Sequence, residues 1–399
     1  MTERAATSSV VLTTLGGLLL ALALLLLLGY LVRFTQTPFS TPVRFVDTGA
    51  FSPASPASLP VTAVKGQTTQ LLFAGDIMQH AQQAQDDFAA CYAPIAPLLA
   101  GADLAVANLE FPVVPDRPLG AAGNTVRFNG SPAHLDAIKG AGFDLLSVAN
   151  NHMFDQGLSG VEATLRALQQ RGLTAVGSAI PPRPVAPVLR TVNGIPMAFS
   201  GYTFRPNVYV GEDGQIDYWQ RDWPVNELNF ADWSGAYRAK GLARFRADVA
   251  KARAAGAQFV VALVHWGKEW HFQPTADQQR AAHDMIDAGY DLVVGGHGHV
   301  INGPELYRGH LIAYSQGNLL SAFADRRIRL GAVLAVSVAR GGEADRPVVV
   351  DFHYYATLIA PDGHRILPLT AQRTADQDTA WMLARRILGP ALQPVPVGQ

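Results

Sequence analysis

Short apolar runs that each empty into polar residues recur along this chain, with stretches of helical periodicity between them. Residues 71–74 run into Gly75 and Asp76, and residues 104–107 into Asn108, Leu109 and Glu110. The run 145–149 leads to Asn150, Asn151 and His152, with Asp155 just beyond. The run 259–264 leads to His265 and then Glu269; 292–294 leads to Gly295, Gly296, His297 and, one residue on, His299. Buried strands alternating with amphipathic helices restrict the chain to α/β architecture. Further strands are predicted at 311–314, 332–338 and 348–358, and helices at 132–141, 158–171, 237–255, 276–288 and 379–388. The 132–141 helix has Pro132 near its start and Gly142 just past its end, where helix termini favour them. The Pro-rich stretch after residue 388 reads as a disordered tail.

Polar residues just past the carboxyl ends of parallel strands gather on one rim, where ligands bind. Taken singly, each has a structural explanation. Asp76 suits a cap, Asn150 and Asn151 suit a turn, His265 and Glu269 suit a local ion pair, and His152 suits the core. Taken together, five strand ends present carboxylates, amides and imidazoles to a common space. A ligand set of that kind without sulfur suits Mn, Fe or Zn, as one divalent ion or a pair. The other histidines carry no such placement, apart from His80, four residues past Asp76, as a supporting group.

Composition removes several alternatives. A formal net charge of -1 over 399 residues provides no basic field for nucleic acid. Cys91, the single cysteine, excludes an internal disulfide and a thiolate metal cluster. Residues 10–32 form an apolar run interrupted only by Thr13, Thr14 and glycines. At about 1.5 Å per residue the run matches a hydrocarbon core of roughly 30 Å, longer than the apolar part of a cleaved signal peptide. It reads as one transmembrane signal-anchor after a short tail (1–9), with the main domain outside the cytoplasm. Residues 33–67, rich in Pro, Ser and Thr, read as a linker. The folded domain is expected over 68–370, followed by a C-terminal helix and tail over 371–399. Residues 203–233, with Tyr209, Tyr218, Trp219, Trp223 and Trp233, read as a lid or substrate wall.

The set Gly75-Asp76, Asn108-Leu109-Glu110, Ala149-Asn150-Asn151-His152 with Asp155, His265-Trp266-Gly267 with Glu269, Gly296-His297-Gly298-His299-Val300 and Tyr314-Ser315-Gln316-Gly317-Asn318 resembles the CapA-like family of poly-γ-glutamate capsule biosynthesis proteins. The resemblance spans about residues 70 to 320. That family is in turn similar to calcineurin-like metallophosphatases. The resemblance therefore implies a two-sheet sandwich flanked by helices, with metal ligands at Asp76, Glu110, Asn151, His265, His297 and His299. It also implies His152 as general acid, and Asp155 and Glu269 join it as candidate catalytic residues. Met78, Gly298 and Gln316 depart from the usual pattern; Met78 stands where a metal-ligating histidine is usual. The implied partners are the membrane, capsule-polymer synthesis and export subunits, and an anionic polymer or phosphoester substrate. Two roles fit: a metal-dependent hydrolase, or a non-catalytic subunit that binds the polymer in the same groove.

Overall fold

The structure, a computed structural model, describes residues 59, 64–83, 86–120, 127–204, 206–207, 225–230, 232–341 and 346–396. The anchor expected over 10–32 and most of the 33–67 linker lie outside the described residues. Among the described residues, no helix is long and apolar enough to cross a membrane.

Among the described residues, fifteen strands follow in chain order: β1 (Val64–Ile77), β2 (Leu104–Leu109), β3 (Leu145–Ser147), β4 (Thr174–Val176), β5 (Val188–Val192), β6 (Ile195–Thr203), β7 (Phe259–His265), β8 (Leu292–Gly296), β9 (Pro304–Tyr307), β10 (His310–Ala313), β11 (Asn318–Leu320), β12 (Leu330–Gly341), β13 (Arg346–Ile359), β14 (Ile366–Pro368) and β15 (Leu392–Gln393). They form two sheets among the described residues. The first has the order β14-β13-β12-β1-β2-β3-β4, with β11 also pairing β1 and β15 pairing β13. The second has the order β5-β6-β7-β8-β10-β9. Strands β1 to β4 run parallel, as do β6, β7, β8 and β10.

Side-chain alternation explains the layering. Leu71, Phe73, Leu104 and Val106 of the first sheet share a core with Met197, Phe199, Val261, Leu263 and Val294 of the second. Their neighbours Leu72, Ala74, Ala105 and Ala107 face the opposite side, against Leu135, Ile138, Leu165 and Leu168 of the Pro132–Ala141 and Gly157–Gln170 helices. Ala198, Val260, Ala262 and Val293 likewise meet Phe245, Val249, Met285 and Ile286 of the Gly235–Ala254 and Ala276–Ala288 helices. The result is helix, sheet, sheet, helix, with strands that are apolar on both faces because both faces are covered. The Pro132–Ala141 helix is capped by the Ser131 side chain accepting from the His134 N–H, and closed by left-handed Gly142.

Several expectations are corrected. Residues 64–67 extend β1 instead of ending the linker. The polar strand ends do not line one sheet: three come from the first sheet and two from the second, so they meet at the seam. The stretch expected as a disordered tail packs on the domain where it is described, with the Val395 N–H donating to the Leu369 carbonyl at 3.0 Å. The Ala375–Leu388 helix sinks Ala380, Ala384, Ile387 and Leu388 into the inter-sheet core, and β15 pairs β13. Trp233 is not a substrate wall. It is buried against Phe230 and Phe245, and its indole N–H donates to Asp284 Oδ2. Tyr209, Tyr218, Trp219 and Trp223 lie outside the described residues.

Candidate metal centre

Two glycines create the room in which the polar strand ends converge. A Cβ on Gly75 would stand 1.9 Å from the Gly317 carbonyl oxygen, so the close approach of β1 and β11 requires glycine there. It brings the Asp76 N–H to that oxygen at 2.9 Å. A Cβ on Gly296 would stand 2.7 Å from Asp76 Oδ1. With hydrogen there instead, the Asp76 carboxylate crosses the seam and accepts from the His297 N–H at 3.1 Å. His297 and His299 both hold left-handed backbone, with φ of 88° and 53°. Non-glycine residues in that region cost on the order of 1–3 kcal/mol each and cluster at functional sites.

The side chains of Asp76, Glu110, His265, His297 and His299, all buried, meet in three overlapping groups. Asp76, Glu110 and His299 form one, Glu110, His265 and His297 a second, and Glu269, His297 and His299 a third. Within each group the ligand atoms lie within 4.8 Å of one another. Glu110 Oε1 lies 3.4 Å from His265 Nε2 and 4.0 Å from His299 Nε2. Asn151 Oδ1 lies 2.9 Å from His265 Nε2. All six residues expected as metal ligands are thus brought together.

Neighbouring amides fix these groups. Asn108 Nδ2 donates to Asp76 Oδ1 at 2.8 Å and lies 3.3 Å from His265 Nδ1. Asn318 Oδ1 stands 2.9 Å from His299 Nδ1. Asn150 serves as scaffold, donating to the Leu109 carbonyl at 2.7 Å and accepting from the His152 N–H. His152 Nδ1 lies 2.7 Å from Asp155 Oδ2, which also accepts from the Phe128 N–H. Asp155 therefore positions His152. Asn207 approaches the same ring at 3.3 Å, and Phe204 packs on His297 with centroids 4.4 Å apart. Glu269, part-exposed, belongs to a metal-competent group, and no Glu269–His265 ion pair forms among the contacts of the described residues. His80 is buried farther back, stacked on Phe128 and accepting at Nδ1 from the Ala322 N–H.

The electrostatics fit a cation. Burial first, and the Asp76 carboxylate second, push Glu110 up to about 8. Burial pulls His265 down to about 3 and His297 well below the ordinary imidazole value, which leaves both rings neutral, as ligation requires. Burial lowers His152 and His299 too, but Asp155 and Glu110 respectively lead the carboxylates that outweigh it, and both shift upward. Glu110 Oε1 and His297 Nδ1 are buried without a hydrogen-bond partner. Such atoms cost about 1–3 kcal/mol each, more when charged, unless something satisfies them. A divalent ion held by these residues would satisfy such atoms and would oppose the upward shift of Glu110.

Phe204 and Asn207 fall within residues 203–233, expected as a lid or substrate wall, but neither was singled out there. Both follow the end of β6, but neither lies in a recognisable ligand pattern. The Asn108 and Asn318 amides had a signal, since each lies in one of the motifs that carry the family resemblance.

Fold and cluster define a four-layer α/β sandwich protein with a metal-competent centre at the seam of its two sheets. The chain belongs to the family described as bacterial capsule synthesis protein PGA_cap, which it matches over residues 70–322. It is similar to the capsule biosynthesis protein CapA of Bacillus anthracis, at 27% identity over 73% of this chain and 69% of that one. It is similar to the PGA biosynthesis protein CapA of Bacillus subtilis, at 26% identity over 85% and 87%. A probable polyglutamine synthesis accessory protein of Mycobacterium tuberculosis matches at 25% identity over 55% and 56%. The resemblance carried by the strand-end motifs is thereby confirmed.

Proposed function

We propose that this chain acts in poly-γ-glutamate capsule biosynthesis as a membrane-anchored protein with a divalent metal centre. Membership of the capsule synthesis family supports the pathway, as do the names of its Bacillus relatives. The observation that carries the metal reading is Glu110: fully buried, shared by two ligand groups, with Oε1 lacking any hydrogen-bond partner. Asp76, Glu110, Asn151, His265, His297 and His299 would hold one or two ions of Mn, Fe or Zn. When bound, such ions supply Lewis-acid polarisation of a phosphoester or amide group, as in calcineurin-like metallophosphatases. His152, its pKa raised and its ring oriented by Asp155, would protonate the leaving group. Phe204 and Asn207 wall the same space.

In this reading residues 10–32 anchor the chain in the bacterial cell membrane, 33–67 form the linker, and the domain from 68 onward works outside the cytoplasm beside the synthesis and export subunits. A second reading, a non-catalytic subunit that binds the anionic polymer in the groove, is favoured by Met78. That side chain is buried in the helix-side core, where it contributes no ligand. Metal analysis of the purified full chain tests both readings. Stoichiometric Mn or Zn, lost in a His297→Ala/His299→Ala double variant that still folds, is expected. Unchanged metal content in that variant sinks the metal centre. Turnover of a generic phosphodiester or a γ-glutamyl polymer, abolished by His152→Ala, then selects the enzyme. Metal without turnover selects the binding subunit.

A further inference from the structure

The Glu269 carboxylate stands apart from the ligand set implied by family resemblance, yet it shares a ligand-sized space with His297 and His299. We propose that Glu269 is a metal ligand, completing with His297 and His299 a second, cleft-facing cation position beside the buried one at Asp76 and Glu110. This rests on the metal-bearing reading above and assigns a ligand that the reading does not contain.

Three observations carry it. The first is convergence: one carboxylate oxygen of Glu269 and one ring nitrogen from each histidine all lie within 4.8 Å of one another. The second is the state of His297. Its ring is buried, Nδ1 has no hydrogen-bond partner, and the ring is shared by the Glu269 group and the Glu110–His265 group, as His299 is shared by the Glu269 group and the Asp76–Glu110 group. The third is how the Glu269 segment is held. After β7 ends at His265, the chain turns back over the His297–His299 segment, and the Trp270 N–H donates to the Gly298 carbonyl at 2.8 Å. Trp270 takes φ of 63° to make that bond. A Cβ on Gly298 would lie 3.6 Å from the Lys268 carbonyl oxygen, so the two segments are stacked in direct contact. His271 Nδ1 stands 2.8 Å from the Glu269 carbonyl, and Asn302 Nδ2 donates to the His271 carbonyl at 3.0 Å. An exposed acidic side chain of no consequence does not need a backbone clamped onto the very residues it faces.

Exposure separates the two positions. Asp76 and Glu110 are fully buried, whereas Glu269 is partly exposed. The cleft-facing ion therefore exchanges faster and binds more weakly than the inner one. Its chemistry is that of a borderline divalent cation, since two imidazoles and one carboxylate make up the donor set.

Titration of the full chain with Mn2+ alone, followed by the paramagnetic resonance signal of the free ion, tests this. Wild type is expected to bind in two classes. In Glu269→Gln the weaker class is expected to lose at least about tenfold in affinity, the scale on which even outer-shell changes act, while the tighter class persists. Glu269→Ala is expected to behave alike, and Glu162→Gln, on an exposed helix face, to match wild type. Unchanged weak-class binding in both Glu269 variants overturns the proposal and leaves the metal centre standing. No binding by wild type overturns both. Far-ultraviolet circular dichroism of each variant separates ligand loss from misfolding, and a variant that misfolds is read through its partner substitution.

Discussion

At the scale of single residues, the site depends as much on what is missing as on what is present. Gly296 has no side chain, and that absence lets Asp76 reach across the seam to the His297 N–H. Gly296→Ala is expected to displace the carboxylate and weaken Mn2+ binding at the inner position by more than tenfold, with a stability cost of about 1–3 kcal/mol from overpacking. Mn2+ titration and urea unfolding check the two parts separately, and wild-type affinity in the variant would refute the argument. The residues proposed as ligands were legible in the sequence because each lies within a few residues of the end of an apolar run: His265 closes β7, and His297 follows β8. Glu269 was legible as a candidate catalytic residue and 203–233 as a wall, but the particular contacts of Asn207, Phe204 and the Glu269 segment were not. They are set by how loops fold back over other loops, and no local period encodes that.

At the scale of elements, the Pro132–Ala141 helix joins accurate prediction to a concealed cost. Its bounds follow from Ser131, Pro132 and Gly142 alone. It also carries His134, buried between Phe88 and Phe111, with Nε2 2.7 Å from Tyr92 Oη and Nδ1 3.1 Å from Gln79 Oε1. Burial lowers the His134 pKa to about 3 from an ordinary 6.5. As pH falls below about 6.5 the unfolded chain takes up this proton while the folded chain does not. The stability present above that pH is therefore lost progressively towards about 3. His134→Phe is expected to be less stable at pH 7, by about 1–3 kcal/mol for the abandoned Tyr92 and Gln79 groups. It should also lose less stability than wild type between pH 7 and pH 4.5. Urea midpoints at the two values check this, and parallel losses would exclude His134 as a source of acid sensitivity. Strands were less legible than helices. Edge strands such as β5, β9 and β14 are short or part-exposed, and pairing holds them where an apolar run does not. The end of β1 is hidden by register shifts around Asp76.

At the scale of the whole molecule, alternating apolar runs announced α/β layers but not their division into two sheets, because pairing is a long-range choice that a local pattern leaves open. The same limit hid the C-terminal segment, whose Ile387 and Leu388 belong to the core between the sheets. Ile387→Ala is expected to cost about 2–5 kcal/mol, measurable by urea unfolding, where a dispensable tail would show no effect. The division into two sheets also gives the proposed metal a structural consequence. Asp76 lies at the end of β1 and Glu110 and Asn151 follow β2 and β3 of the first sheet, while His265, His297 and His299 belong to the strand ends of the second. An ion held by both sets ties the sheets together at the seam, and the scattered ligands of the unfolded chain bind it far less well. At a hundredfold excess over Kd, binding to the folded state alone stabilises by about 2.7 kcal/mol. Thermal unfolding should therefore shift upward with added Mn2+ and downward with chelator. The shift should be smaller in Glu269→Gln, which keeps the inner position, and absent in the His297→Ala/His299→Ala variant. If Mn2+ binds wild type while its unfolding temperature stays fixed, the unfolded chain binds the ion as well as the folded one, and a site assembled only where the two sheets meet is excluded.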